Sequence, residues 1–194
     1  MLICFVAKQA SGKDTIINIL KENNNVLPLV SCTSREPRKG EVNGKEYYFK
    51  TSEEIIEMYK NNELIEYKEY KTQYGIWIYG LQKNELWNKD ISKNNYTVIL
   101  DLKGVKELKK YLKENNTDGY LKIIYIDAKP QITLMRALQR DDMDKDKCLE
   151  VCRRFIDDCI WEEEAKEYSD YIIPNNNEED LENAIKFIKK LFDK

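Results

Sequence analysis

Short, almost wholly apolar runs recur along the chain, and most are followed by a stretch with helical spacing. Residues 2–7 (Leu-Ile-Cys-Phe-Val-Ala) contain no charged side chain, as expected of a strand covered on both faces. Residues 14–22 have a helical period, and 29–33 read as another short strand. Residues 96–101 (Tyr-Thr-Val-Ile-Leu-Asp) predict a buried strand ending on an acid, and a helix follows over about 104–114. Leu121 to Asp127 and Tyr171-Ile172-Ile173 predict two further strands. Pro130 suits the first turn of a helix over about 130–140, and a long helix is expected over about 146–167. The last helix carries Leu181, Ala184, Ile185, Ile188 and Leu191 at helical spacing. Apolar strands alternating with helices predict an α/β fold, with a parallel central sheet covered on both faces.

The rhythm breaks between about 34 and 92. Asn43-Gly44, set before the Tyr47-Tyr48-Phe49 run, predicts a tight hairpin turn. Thr51 and Glu54 form a capping box that starts a helix through about Lys60. Residues 63–79 alternate and are rich in aromatics, so strands are expected. This stretch reads as a small β-rich subdomain. With no Pro/Gly/Ser linker, residues 1–194 are expected to form a single domain.

The 194 residues suffice for a sizeable core. Lys and Arg number 32 against 35 Asp and Glu, a formal net charge of −3, which argues against a general nucleic-acid binder. No apolar run approaches the ~18 residues of a membrane span. Met1 leads into the first apolar run with no basic segment, so no signal peptide is expected. An odd count of five cysteines then reads as reduced thiols in the cytoplasm. Cys148, Cys152 and Cys159 fall near one helix face; lacking a fourth ligand, they read as small buried apolar side chains rather than a metal site. Histidine is absent, so catalysis must use carboxylates, Lys, Arg, Tyr or backbone N–H groups.

The segment Ala7-Lys8-Gln9-Ala10-Ser11-Gly12-Lys13-Asp14-Thr15 lies between a predicted strand and a predicted helix. A phosphate-binding loop of the pattern G-x-x-x-x-G-K-[ST] needs small residues, so that backbone N–H groups can curl around phosphate oxygens, and a helix N-terminus facing the anion. Gly12 and Lys13 stand where the pattern requires them; Ala7 replaces the first glycine and Asp14 the hydroxyl residue. Ala10 to Thr15 would line the nucleotide phosphates. Asp14 and Thr15 are the candidate partners of a magnesium ion, directly or through water.

A second segment runs from Ser31 to Phe49: Ser-Cys-Thr-Ser-Arg-Glu-Pro-Arg-Lys-Gly-Glu-Val-Asn-Gly-Lys-Glu-Tyr-Tyr-Phe. Arg35 and Arg38 flank Pro37, and two guanidinium forks can converge on one phosphate. The segment resembles the guanylate kinase signature T-x-R-x-P-R-x-G-E-x-x-G-x-x-Y-x-F through Thr33, Arg35, Pro37, Arg38, Gly40, Glu41, Gly44, Tyr47 and Phe49. Further likeness follows in order at Asn62 to Tyr67, Tyr74-Gly75, Val98 to Asp101, Arg136 to Arg140, Arg153-Arg154 and Ile173 to Asn177.

The resemblance implies a P-loop three-layer fold: a core of 1–32, 95–135 and 155–194, a monophosphate-binding subdomain of 33–94, and a helical lid of 136–154. It implies ATP-dependent phosphorylation of GMP or dGMP with Mg²⁺, by a monomer or homodimer acting on small nucleotides. Arg35, Arg38, Tyr47 and Tyr74 would bind the acceptor phosphate, held with Glu41 and Gly75. Ser31 and Glu66 would read guanine, whose adjacent N1–H and N2–H donors suit a carboxylate. Asp101 would sit near the acceptor ribose or the metal. Lys13 would hold the ATP phosphates, Arg136, Arg140 and Arg154 would offset charge on the transferred group, and Asn175 would border adenine.

The chain departs from the pattern in four places. Ala7 and Asp14 alter the phosphate loop. Ile76 and Trp77 follow Tyr74-Gly75 where the family has a small hydroxyl residue. The family's second acid after Asp101 is missing. Between Arg140 and Arg154 the lid is long and carries Asp141, Asp142, Asp144 and Asp146, read as a solvated loop. Two alternatives keep the fold: a kinase for another nucleoside monophosphate or a ribose bisphosphate, and a non-catalytic module that binds phosphopeptides.

Overall fold

A computed structural model describes residues 1–23, 26–38, 40–87, 89–139 and 143–192. The central sheet contains β1 (Leu2–Ala7), β2 (Leu27–Pro28), β7 (Tyr96–Ile99), β8 (Leu121–Asp127) and β9 (Tyr171–Pro174). Its order is β2-β7-β1-β8-β9, with every pairing parallel. Successive side chains of a strand point to opposite faces, so the apolar run of β1 feeds two cores. Leu2, Cys4 and Val6 pack with Val105, Leu108 and Leu112 of α4 (Leu102–Glu114) and with Ala165 of α6 (Lys145–Glu167). Ile3 and Phe5 pack with Ile16 and Leu20 of α1 (Lys13–Asn23) and with Ala184 and Ile188 of α7 (Glu178–Phe192). The result is the expected three-layer α/β arrangement.

The second sheet has the order β4-β3-β6-β5, from β3 (Cys32–Thr33), β4 (Tyr48–Phe49), β5 (Leu64–Thr72) and β6 (Gly75–Gln82). Its small core is Cys32, Ile55, Leu64 and Ile78. Ile55 belongs to α2 (Ser52–Lys60), which opens on the predicted capping box: Glu54 N donates to Thr51 Oγ1 and Thr51 N to Glu54 Oε2. The short α3 (Asn84–Trp87) follows β6, and α5 (Pro130–Leu138) follows β8.

Three local expectations are corrected. The strand expected over 29–33 is split: Leu27–Pro28 joins the central sheet and Cys32–Thr33 the small one. The chain must turn from one sheet to the other between them, which leaves Ser31 at the junction. Asn43-Gly44 makes no hairpin. Its turn closes through Gly44 N to Tyr47 O, while the Asn43 side chain accepts from Phe49 N, so β4 pairs in parallel with β3 instead. The cysteines of α6 are not buried: Cys152 and Cys159 are exposed and Cys148 is partly so, because the helix buries Val151 and Ala165 instead. Among the described residues no group of three or more His, Cys, Asp or Glu is placed to hold a metal ion. No described helix is long and apolar enough to cross a membrane.

Candidate active site

The loop from β1 to α1 is held from below and behind. Ala10 and Gly12 have φ of +54° and +89°, values that let the backbone curl. A Cβ on Gly12 would stand 2.2 Å from Asn175 Nδ2, so only glycine admits this approach. The Asn175 side chain, 4% exposed, donates to Ser11 O at 2.7 Å. Arg136 donates to the carbonyls of Asn175 (3.0 Å) and Asn176 (3.2 Å). Helix α6 supplies the other ties: Gln9 N to Asp158 Oδ2 at 2.7 Å, and buried Lys8 Nζ to Glu162 Oε1 at 2.7 Å. Burial pushes the Asp158 carboxyl up to about 6, against the Gln9 bond and the charges of Lys13, Arg154 and Lys8. Ser11 Oγ is buried with no hydrogen-bond partner among the described residues.

Lys13 and Asp14 open α1 onto a cleft between the two sheets. The cleft is two adjoining hollows of about 260 and 340 Å³, both lined by Lys13, Ser31, Tyr47, Tyr79 and Arg154. The larger hollow collects cationic groups. Arg35 is 5% exposed and pairs with Glu41 Oε1 at 2.9 Å, with its guanidinium over the Tyr47 and Phe49 rings. Glu41 Oε2 accepts from Arg38 N at 2.7 Å, so one carboxylate shapes the loop that carries both arginines. Burial, and then the charges of Arg35 and Arg154, make the Arg38 guanidinium less basic, the electrostatic mark of three converging cations. Burial pushes the Tyr47 hydroxyl up to about 12, with Tyr79 and Asp14 also raising it against Arg35 and Arg38.

The smaller hollow holds a buried acid. Glu66, Lys68 and Tyr70 alternate along β5 onto its wall. Glu66 is 6% exposed; burial and the nearby Glu107 push its carboxyl up to about 7, against Lys68 and Lys103. A Cβ on Gly104 would lie 3.2 Å from Glu66 Oε2, so the glycine leaves room for the carboxylate. Asp101 caps α4 through Gly104 N at 2.9 Å, accepts from the Tyr70 hydroxyl at 2.7 Å and pairs with Lys68. It therefore holds the wall of the hollow together.

Arg154 reaches both hollows from α6, with Nε donating to Glu150 Oε1 at 2.7 Å. Arg153 binds the same carboxylate at 2.9 and 2.7 Å and pairs with Asp157. Burial alone would raise the Glu150 carboxyl, but the two guanidiniums hold it down at about 2. Arg140, with Asp141 and Asp142, lies outside the described residues. Asp144 serves as the cap of α6 rather than as loop, accepting from Lys147 N at 2.8 Å.

Most expected site residues meet in this cleft: Ala10, Lys13, Asp14, Ser31, Arg35, Arg38, Glu41, Tyr47, Glu66, Asp101 and Arg154. Ser11, Gly12, Arg136 and Asn175 meet behind the phosphate loop. Thr15 is exposed and does not line the cleft, which leaves Asp14 as the metal-facing candidate. Tyr74 and Gly75 are also elsewhere. Strands β5 and β6 form one hairpin with Thr72 opposite Gly75, so this pair makes the turn, where Tyr74 is 51% exposed. Tyr79 stands in the cleft instead, opposite Lys68 in β5 and Thr33 in β3. Its ring meets Tyr47 edge-on at 5.8 Å and Tyr70 at 5.5 Å. The sequence signal was a second Tyr-Gly pair, Tyr79-Gly80, five residues after the first.

The guanylate kinase family model matches residues 1–194. A guanylate kinase of Bacteroides thetaiotaomicron is 43% identical over 116 residues, 58% of this chain and 54% of that relative. The match thus spans about half the length of that curated relative. A guanylate kinase of Mycoplasmoides gallisepticum is 30% identical over 193 residues, covering 98% of this chain and 91% of the relative. The crystal structure of guanylate kinase from Anaplasma phagocytophilum superposes with a TM-score of 0.69 at 24% identity, over 100% of this chain and 84% of that one, a likeness of fold. A phosphate loop facing clustered arginines and a buried acid, on a chain matched by the family model from end to end, places this protein in the guanylate kinase family.

Proposed function

We propose that the protein transfers the γ-phosphoryl group of ATP to GMP or dGMP. The observation that carries this reading is the cleft itself: Arg35, Arg38, Arg154, Tyr47 and Tyr79 gather around one end, and the buried Glu66 stands at the other, both open to Lys13. The arrangement of two adjoining hollows suits a nucleoside monophosphate laid along the cleft. Its phosphate meets the arginines, and its base meets Glu66 and Ser31. Ionised Glu66 accepts both N1–H and N2–H of guanine. Adenine has no such donor pair and would leave the carboxylate unpaired, so the site selects against it.

Phosphoryl transfer asks for positioning and charge neutralisation rather than covalent catalysis. Lys13 and the N–H groups of residues 10–14 hold the donor phosphates, and Arg154 faces the group in transit. Asp14, an exposed carboxylate in the cleft 3.3 Å from Lys13 Nζ, fits a magnesium ion that arrives on the nucleotide phosphates better than a protein-built metal cage. When bound, Mg²⁺ supplies charge compensation to the phosphate oxygens. Arg136 and Asn175 act from behind by fixing the loop. Residues 33–94 carry the acceptor and 136–154 serve as a lid; the protein works on small nucleotides in the cytoplasm, as a monomer or homodimer. Ile76, one of the departures from the family pattern, is 53% exposed at the hairpin and does not line the cleft, so it gives no ground for a different acceptor.

The test is ADP formation from Mg·ATP with GMP, dGMP, AMP, CMP, UMP, dTMP and ribose 1,5-bisphosphate, with Lys13→Ala as control. Turnover on GMP or dGMP that is lost in Lys13→Ala is expected. Turnover on another acceptor overturns the role of Glu66. Binding of GMP without turnover makes the protein a binding module.

A further inference from the structure

The acceptor hairpin and the lid helix touch near the hairpin tip, away from the phosphate loop. Gln73 N, at the hairpin tip, approaches Glu150 Oε2 at 3.5 Å. Trp77, opposite Tyr70 in the hairpin, lies under the Arg154 guanidinium at 5.8 Å from the ring centre. Tyr74 stacks on Trp77 with centroids 5.8 Å apart and planes 7° from parallel. Glu150, 6% exposed, accepts the Nε of Arg154. Trp77 and Tyr79 are two apart on β6, so the strand that offers Tyr79 to the cleft offers the indole to Arg154 on the same face.

Arg154 needs such a hold. Its charge reaches Arg38, so it is repelled by the cluster it faces. Among the described residues a single carboxylate meets Arg154, at Nε, and one such bond lets the planar fork swing about it. An indole face attracts a guanidinium laid over it and sets the plane of the fork. We propose that Trp77 is a positioning residue for Arg154, and that with Glu150 it latches the acceptor hairpin to the lid helix. The inference rests on the assignment of Arg154 to the transferred phosphoryl group. It extends that assignment by giving a task to the hairpin tip, which does not itself line the acceptor end of the cleft. Seating the acceptor against Tyr79 and orienting the lid arginine become one event.

The test uses Trp77→Phe and Trp77→Leu, each alone and with Arg154→Ala, with kcat and KM measured for both substrates. Trp77→Leu is expected to lower kcat about tenfold with acceptor KM within about threefold, since it removes one cation–π contact made over the reacting group. Trp77→Phe keeps an aromatic face and should restore most of the rate. With Arg154→Ala present, Trp77→Leu should cost nothing further. Equal losses with and without Arg154, or a Phe variant as slow as the Leu variant, overturn the proposal. Hydrogen exchange of the amides of residues 73–76 reads the latch without turnover. It should quicken in Glu150→Ala, and unchanged exchange overturns the latch even if Trp77→Leu fails to fold. A parent protein that shows the exchange effect but no GMP-dependent ADP formation refutes the kinase assignment alone.

Discussion

The Asn175 carboxamide donates to the Ser11 carbonyl at 2.7 Å, joining residues 164 apart in sequence. This bond is why the phosphate loop needs glycine at position 12. A methyl group there meets the amide nitrogen, and φ of +89° strains any other residue. Gly12→Ala should therefore displace the loop, and a shift of about 1 Å costs about a hundredfold in kcat/KM for ATP. Asn175→Ala should raise the KM for ATP and destabilise by about 1–3 kcal/mol through the orphaned carbonyl. Steady-state kinetics and urea unfolding check both. A change confined to the acceptor KM would contradict the link.

How far the sequence reveals this site depends on the kind of interaction. The inner strands β1, β7 and β8 of the central sheet are legible because they are buried along most of their length, and continuous apolar runs such as Leu2–Ala7 have no other cheap explanation. Capping of α2 is legible because Thr51 and Glu54, three residues apart, each bond to the other's backbone. Strand partners in the small sheet are not, because two-residue strands leave no period to read. Asp101 illustrates the limit at the site. An acid at a strand end suggests a ligand; its service as cap of α4 is local, through Gly104 N three residues on, while its role as acceptor of Tyr70 appears only once β5 lies beside it.

The two Tyr-Gly pairs make a second discriminating case. Only the register of β5 and β6 decides which tyrosine enters the cleft. Tyr79→Phe should raise the acceptor KM about tenfold, the value of one hydrogen bond to a charged phosphate. Tyr74→Phe should leave it within about twofold, since the ring remains stacked on Trp77. The opposite order would return the acceptor tyrosine to the hairpin tip.

Glu41 carries a structural load within the acceptor loop. Removing it leaves Arg35, 5% exposed, without its carboxylate. A buried ion left unpaired costs on the order of 3 kcal/mol. Glu41→Ala should lose about that much stability in urea unfolding. It should also raise the acceptor KM, because Arg38 N loses its acceptor as well, while the KM for ATP stays unchanged. Equal weakening of both substrates would mean that the loop also supports the phosphate-binding side.

The buried acid of β5 makes the pH dependence a direct test of the base assignment. Burial pushes the Glu66 carboxyl from its ordinary 4.5 up to about 7. The folded chain therefore binds an extra proton between these values. This contribution to stability is full below about 4.5 and is lost as pH rises through about 7. Asp158, pushed up to about 6, acts in the same direction. Guanine binding has the opposite sign, because N1–H and N2–H need the ionised carboxylate. The GMP KM should rise about tenfold for each pH unit below 7 while the ATP KM does not follow it. Glu66→Gln should flatten the GMP profile and part of the stability profile, leaving the share due to Asp158. A GMP profile that keeps its slope in Glu66→Gln would place the base against a different group of the cleft.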